Sequence, residues 1–229
     1  MILSHKHKFI FLKTNKTAGT SIEIALSKHC GPNDIITPIS PEDEQLRTEL
    51  GYPGPQNYLL PLRSYGVREI SRLVFRRKRT LAFYNHMLAA EVKERIGEQI
   101  WNSYFKFCVE RNPWDRIISH YYWHYKSEPR PSLYEYIHSR KPLILKERGY
   151  CLYTIDNQVA VDRICRFENI AEEVEEVRKH VGIPDSLDLP RAKSSTRKDR
   201  RSYHDVLEKR EIDAIAELFC DEIRLFGYT

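Results

Sequence analysis

Phe9-Ile10-Phe11-Leu12-Lys13-Thr14-Asn15-Lys16-Thr17-Ala18-Gly19-Thr20-Ser21-Ile22 is the stretch on which the fold turns. Its first four residues are continuously apolar, as in a short strand buried on both faces. Small and hydroxylated residues follow, and from about Thr20 the apolar positions Ile22, Ala25 and Leu26 fall at helical spacing. Glu23 is expected in the first turn, where an acid suits the helix dipole, and Gly31-Pro32 ends the helix. A strand that turns through small residues into a helix N-terminus offers an anion several backbone N–H groups and the positive end of the dipole.

The loop is not a Walker motif. Aligned on Gly19, Thr20 stands where the phosphate-binding lysine belongs and Thr14 where the first glycine belongs. The lysine is Lys16, three residues before the glycine, so its charge enters from the front of the loop, a placement that suits a group shorter and less charged than a triphosphate.

Outward from this stretch the pattern repeats. Thr80–Tyr84 reads as a strand ending at Asn85-His86, followed by a helix over Met87–Ile96 that Gly97 caps. Tyr104–Val109 reads as a further buried strand, after which Asn112-Pro113 supplies the cap and first-turn proline of a helix whose stripe is Ile117, Ile118, Tyr121, Tyr122 and Tyr125. Val161–Phe167 is a fourth strand, with Ile170, Val174, Val177 and Val181 marking the helix behind it, and a last helix runs from about Val206 to Phe226. Strands alternating with helices predict an α/β domain with a central, mostly parallel sheet, helices on both faces and ligands beyond the carboxyl ends of the strands. Lys13–Ser21, His86 and Arg111 all fall at such ends.

The 229 residues suit one domain, 1–229. Residues 32–80 hold six prolines and three glycines around one predicted helix, Pro41–Leu50, and read as an insertion that lines an acceptor site. Arg76-Arg77-Lys78-Arg79 closes it, read as a solvated face or as a contact for an anionic acceptor. A net charge of +5 leans toward anionic partners without selecting one. The five cysteines form no CxxC pair and read as free thiols of a reducing compartment. No run approaches the roughly 18 apolar residues of a bilayer span, so the chain is expected to be soluble and cytoplasmic, without a transmembrane segment.

Lys16-Thr-Ala-Gly-Thr-Ser21 after a buried strand resembles the 5′-phosphosulfate loop of the sulfotransferases that use 3′-phosphoadenosine 5′-phosphosulfate (PAPS), in the carbohydrate (family 2) branch with its P-K-x-x-x-T-S core. Lys16, Thr20 and Ser21 match; Asn15 replaces the usual proline. Val109-Glu-Arg-Asn-Pro-Trp-Asp-Arg-Ile-Ile-Ser119 is similar to the family's 3′-phosphate segment, V-x-R-N-P-[WY]-[DE]-R-x-x-S. Arg111 is a planar cation suited to forking a phosphate, with Ser119 two turns along the following helix. Arg163–Asn169 and Leu225–Tyr228 also look like the family's C-terminal half.

The resemblance implies a P-loop-like three-layer fold and O-sulfation from PAPS without a metal. Lys16, Thr17, Ala18, Gly19, Thr20 and Ser21 would hold the phosphosulfate, and Arg111 and Ser119 the 3′-phosphate. Lys193, Ser195 and Arg197, in the polar loop before the last helix, would close over that phosphate. The acceptor would be a glycan or another hydroxyl-bearing molecule, with no nucleic-acid partner. The family places its histidine or glutamate base between the two nucleotide motifs. Of His29 and His86, the two histidines in that interval, His29 lies at the far end of the first helix, so His86 is the expected base, with Lys16 stabilising the leaving phosphate. His120 and His124 stand four apart on a helix, but no third ligand is evident, and they read as surface or groove residues. A P-loop-type nucleotide kinase, which needs Mg²⁺, and a non-catalytic nucleotide- or sulfated-glycan-binding protein are the alternatives. The sequence does not fix the oligomeric state.

Overall fold

The alternation of large apolar side chains along each strand decides how the sheet is buried. The computed structural model describes residues 1–190 and 201–229. Strands β1 (Ile2–Ser4), β2 (Phe9–Phe11), β3 (Ile35–Ile36), β4 (Phe105–Glu110), β5 (Thr154–Ile155), β6 (Gln158–Val159) and β7 (Arg163–Arg166) are joined by thirteen α-helices among the described residues. These are α1 (Gly19–Ser27), α2 (Pro41–Glu49), α3 (Val67–Arg76), α4 (Ala89–Ile96), α5 (Glu98–Ser103), α6 (Pro113–His124), α7 (Leu133–Ile137), α8 (Leu143–Glu147), α9 (Tyr150–Tyr153), α10 (Ile170–His180), α11 (Tyr203–Val206), α12 (Lys209–Leu218) and α13 (Cys220–Phe226).

Five strands pair in the order β3-β1-β2-β4-β7, with β5 and β6 forming a separate hairpin. Phe9, Phe11, Phe107, Val109 and Cys165 pack on one face with Ile22 and Leu26 of α1 and Val174 and Val177 of α10. Leu3, Ile10 and Cys108 point to the other, against Val92 of α4, Trp101 of α5 and Leu152 and Tyr153 of α9. Both faces of the central strands are therefore dry, which is why Phe9–Phe11 and Phe107–Val109 read as unbroken apolar runs.

Three sequence expectations need correction. The sheet is mixed: β2, β4 and β7 run parallel, but β1 is antiparallel to both β2 and β3. Thr80–Tyr84 is not a strand, making only a single bridge from Leu81 to Leu59. There the N–H groups of Ala82 and Phe83 both donate to the Tyr58 carbonyl, at 2.8 and 3.0 Å, so the ladder cannot advance. The predicted last helix is broken into α12 and α13 at Phe219. The other helices lie where the periodicity put them, and Asn112 caps α6 by accepting from the N–H groups of Trp114 and Asp115.

Glu222 of α13 is fully buried, and neither carboxyl oxygen has a hydrogen-bond partner among the described residues. Burial, then the charge of Glu110, pushes its carboxyl up to about 7. A raised carboxyl stabilises the fold while protonated, and that contribution is lost as pH rises from about 4.5 through about 7. Glu222→Gln is accordingly expected to stabilise the protein at pH 8 by up to about 3 kcal/mol and to leave it unchanged near pH 4. Urea melts at the two pH values measure the difference, and equal gains at both would contradict a protonated Glu222.

Candidate active site

The carboxyl ends of the three parallel strands open into one cavity of about 540 Å³, within the roughly 300–1,000 Å³ typical of small-molecule sites. Residues 13–21 line it after β2, Arg111 after β4, and Phe167 and Ile170 after β7. Lys13, Lys16, Arg111 and Arg148 contribute four cations, and no carboxylate lines the cavity among the described residues. Such a wall attracts an anion.

The loop is built to expose its backbone. Helix α1 starts at Gly19, and the first intrahelical bond runs from the Ile22 N–H to the Ala18 carbonyl at 3.2 Å. The N–H groups of Gly19, Thr20 and Ser21 precede it and have no intrahelical acceptor. Lys16 and Ala18 both take left-handed backbone, φ 65° and 57°, a conformation that costs a non-glycine residue about 1–2 kcal/mol. Gly19 is needed for space: a Cβ there would come within 2.8 Å of the Lys13 Cγ.

Neighbouring elements hold the strained loop in place. The Asn15 N–H donates to the Arg148 carbonyl at 2.9 Å, and the Asn15 carbonyl accepts from Arg116 Nε at 3.0 Å. The Thr14 hydroxyl donates to the Val109 carbonyl of β4, and Arg111 Nη1 donates to the Lys16 carbonyl at 3.4 Å. Glu110 is fully buried and accepts from Arg116 Nη1 at 2.7 Å and from the Arg111 N–H at 3.0 Å. Glu23 is corrected too. It lies beyond the first turn of α1, fully buried, and its carboxylate accepts from Lys13 Nζ at 2.7 Å rather than serving the dipole. Burial would raise that carboxyl, but Lys13 and the Met1 amine beside it hold it down at about 2.

His86 lines the same cavity from a turn, with φ 60°, rather than from a strand end. Its Nδ1 is 2.7 Å from the Lys13 carbonyl oxygen. A carbonyl only accepts, so Nδ1 carries the proton and Nε2 the free lone pair. Burial, then the Lys13 charge, lowers the imidazole to about 3, so the ring is neutral at ordinary pH. Left-handed residues at positions 16, 18 and 86 thus surround one cavity, a clustering of backbone strain typical of functional sites.

A model described as the sulfotransferase family matches residues 1–148. The chain belongs to the sulfotransferase family. An uncharacterized protein of Archaeoglobus fulgidus is 29% identical over 106 residues, which cover 45% of this chain and 88% of that one. No solved structure matches it. The family match runs through residues 32–80 and stops short of Arg163–Asn169 and Leu225–Tyr228.

In this member of the family, Lys16, Thr17, Ala18, Gly19, Thr20, Ser21, His86, Arg111 and Ser119 all meet at the same cavity. Lys193, Ser195 and Arg197 lie outside the described residues. From residues 32–80 only Ile39 and Ser40 reach the cavity among the described residues. His120 is corrected: it is buried, with Nδ1 against the Tyr136 hydroxyl, and burial followed by the charge of Lys16 lowers it to about 4. No group of three or more metal-ligating side chains occurs among the described residues. All five cysteines are free.

Among the polar and aromatic lining residues, Asn85, Trp123 and Arg148 had no role assigned from sequence. Asn85 adjoins His86 and could have been found by proximity. Trp123, whose ring lies 5.4 Å from Lys16 Nζ, falls outside the helix stripe of Ile117, Ile118, Tyr121, Tyr122 and Tyr125. Arg148 comes from a connection with no motif, and only the tertiary structure brings it in.

Proposed function

We propose that this chain transfers a sulfuryl group from PAPS to an acceptor hydroxyl, most simply that of a carbohydrate, through a P-loop-like cradle. The observation that carries the reading is the His86 ring. It is tethered by Nδ1 to the residue that opens the cationic loop and keeps Nε2 as its lone-pair nitrogen. The phosphosulfate would lie on the Thr17–Ser21 turn, and the 3′-phosphate between Arg111 and Ser119. PAPS fits on charge and shape, since the wall holds four cations, no described carboxylate and a turn kept open by Gly19.

The acceptor oxygen attacks sulfur as His86 Nε2 takes its proton. A new S–O bond forms, and the bond from sulfur to the 5′-phosphate oxygen breaks. The electron pair leaves on 3′-phosphoadenosine 5′-phosphate, whose growing charge Lys16 offsets. The insertion at 32–80, through Ile39 and Ser40, would supply part of the acceptor wall, and a cytoplasmic location belongs to the same reading.

Incubation with labelled PAPS and a panel of glycans, lipids and small alcohols should label a hydroxyl, with turnover persisting in chelator. Activity with ATP and Mg²⁺ instead would assign a kinase. Arg111→Ala is expected to weaken 3′-phosphoadenosine 5′-phosphate binding about ten- to hundredfold, the scale of a hydrogen bond to a charged group. Calorimetry showing unchanged affinity would remove Arg111 from the 3′-phosphate site.

A further inference from the structure

Residues 61–79 leave the body of the protein as an arm. Its stem is pinned where the Leu60 N–H donates to the Thr80 carbonyl at 2.9 Å and Leu59 bridges Leu81. Beyond the stem stands α3, a ten-residue helix with no buried residue. Val67, Ile70 and Val74 are spaced on one face of it, at 87, 51 and 65% exposure, with Phe75 at 83% about 100° round the helix from Val74 and Leu62 before them at 59%. Arg68, Arg72 and Arg76 take the opposite side. An isolated helix shorter than about 12–15 residues is marginal in water, and no surface among the described residues covers α3.

Charge identifies the surface that suits it. The arm carries seven cations, Arg63, Arg68, Arg72, Arg76, Arg77, Lys78 and Arg79, against the single acid Glu69. The Glu69 carboxylate is committed to capping α3, accepting from the Gly66 N–H at 3.0 Å. None of the seven cations makes an ion pair among the described residues. Two such arms packed face to face would set cations against cations. A nucleic acid would use the charge but leave the apolar face wet. A bilayer with anionic headgroups satisfies both, taking the apolar face into the acyl boundary and the arginines among the phosphates.

We propose that residues 61–79 are a peripheral membrane-docking arm for anionic lipid surfaces. The chain past the stem runs through buried Ala82 and Phe83 into Asn85 and His86 at the cavity, so docking holds the cavity's rim close to the headgroups.

Flotation of the full chain with vesicles tests the arm without any turnover, so its outcome is separate from that of the sulfotransfer reading. Binding is expected to vesicles of equal parts phosphatidylglycerol and phosphatidylcholine, to fall with added salt, and to be weak on phosphatidylcholine alone. The pair Val74→Asp and Phe75→Asp should cost at least about tenfold in vesicle affinity and leave the melting curve unchanged, because neither side chain touches the core. Neutralising Arg76–Arg79 stepwise should cost about fivefold per cation. Equal binding to both vesicle types, or anionic binding that survives the double aspartate variant, overturns the proposal. So does a dimer in sedimentation velocity that the variant abolishes, with no vesicle binding, since the face would then belong to a second copy.

Discussion

His86→Ala is expected to lower kcat by roughly 10²–10⁴ while leaving the affinity for 3′-phosphoadenosine 5′-phosphate within about twofold. The split follows from position. His86 touches the loop through Nδ1 at the Lys13 carbonyl, whereas the anion-binding groups are the cations and the N–H groups of α1, which the substitution leaves in place. The pH profile is a second readout. Because the imidazole of the free protein is lowered to about 3, the acid limb of kcat/KM should lie well below the ~6.5 of an ordinary histidine. Bound phosphosulfate adds negative charge beside the ring and raises it, so the acid limb of kcat should sit at higher pH than that of kcat/KM. Two coincident limbs near pH 6.5 would remove the buried, neutral histidine from the mechanism.

How much of this was legible before the structure depends on the range of the interaction that fixes each element. Phe9–Phe11 and the Phe107–Val109 end of β4 were readable because strands buried on both faces must be apolar in sequence, whereas Arg163–Arg166 is an edge strand with Cys165 its one buried residue, readable through the apolar helix stripe that follows it. β1 and β3 were not, being three and two residues long, and the charged His5–Lys8 turn hides the antiparallel pairing of β1 with β2. Thr80–Tyr84 carried a strand's composition, but the double donation to the Tyr58 carbonyl ended its ladder, and nothing in residues 80–84 encodes that. Within the cavity, the loop and Arg111 were found because each is a local motif at a strand end. Arg148 was not, since its place is set by contacts of its carbonyl with Asn15 and Arg116, both remote in sequence.

Arg116 shows the limit of a motif read without its partners. It stands inside the Arg111–Ser119 segment, where it had no assigned role, and the structure makes it the post from which the loop hangs. Fully buried, it pairs with Glu110 at 2.7 Å and donates to the carbonyls of Asn15 and Leu145 at 3.0 and 2.7 Å. Gly149 leaves room for it: a Cβ there would meet Arg116 Nη1 at 2.6 Å. Arg116→Met should therefore cost about 3–5 kcal/mol, because it strands a buried carboxylate and a loop carbonyl. For a chain of this length that is a fall in Tm of roughly 6–20 °C. The double variant Arg116→Met with Glu110→Gln should recover part of the loss, since a neutral amide is less costly to bury than an unpaired charge. Stability and donor binding should separate here. The double variant still lacks the guanidinium at the Asn15 carbonyl, so affinity for 3′-phosphoadenosine 5′-phosphate should stay low while the melting temperature rises. If recovery of the fold restores binding in full, the Arg116 contact with Asn15 does nothing for the loop, and the pair with Glu110 is all that residue supplies.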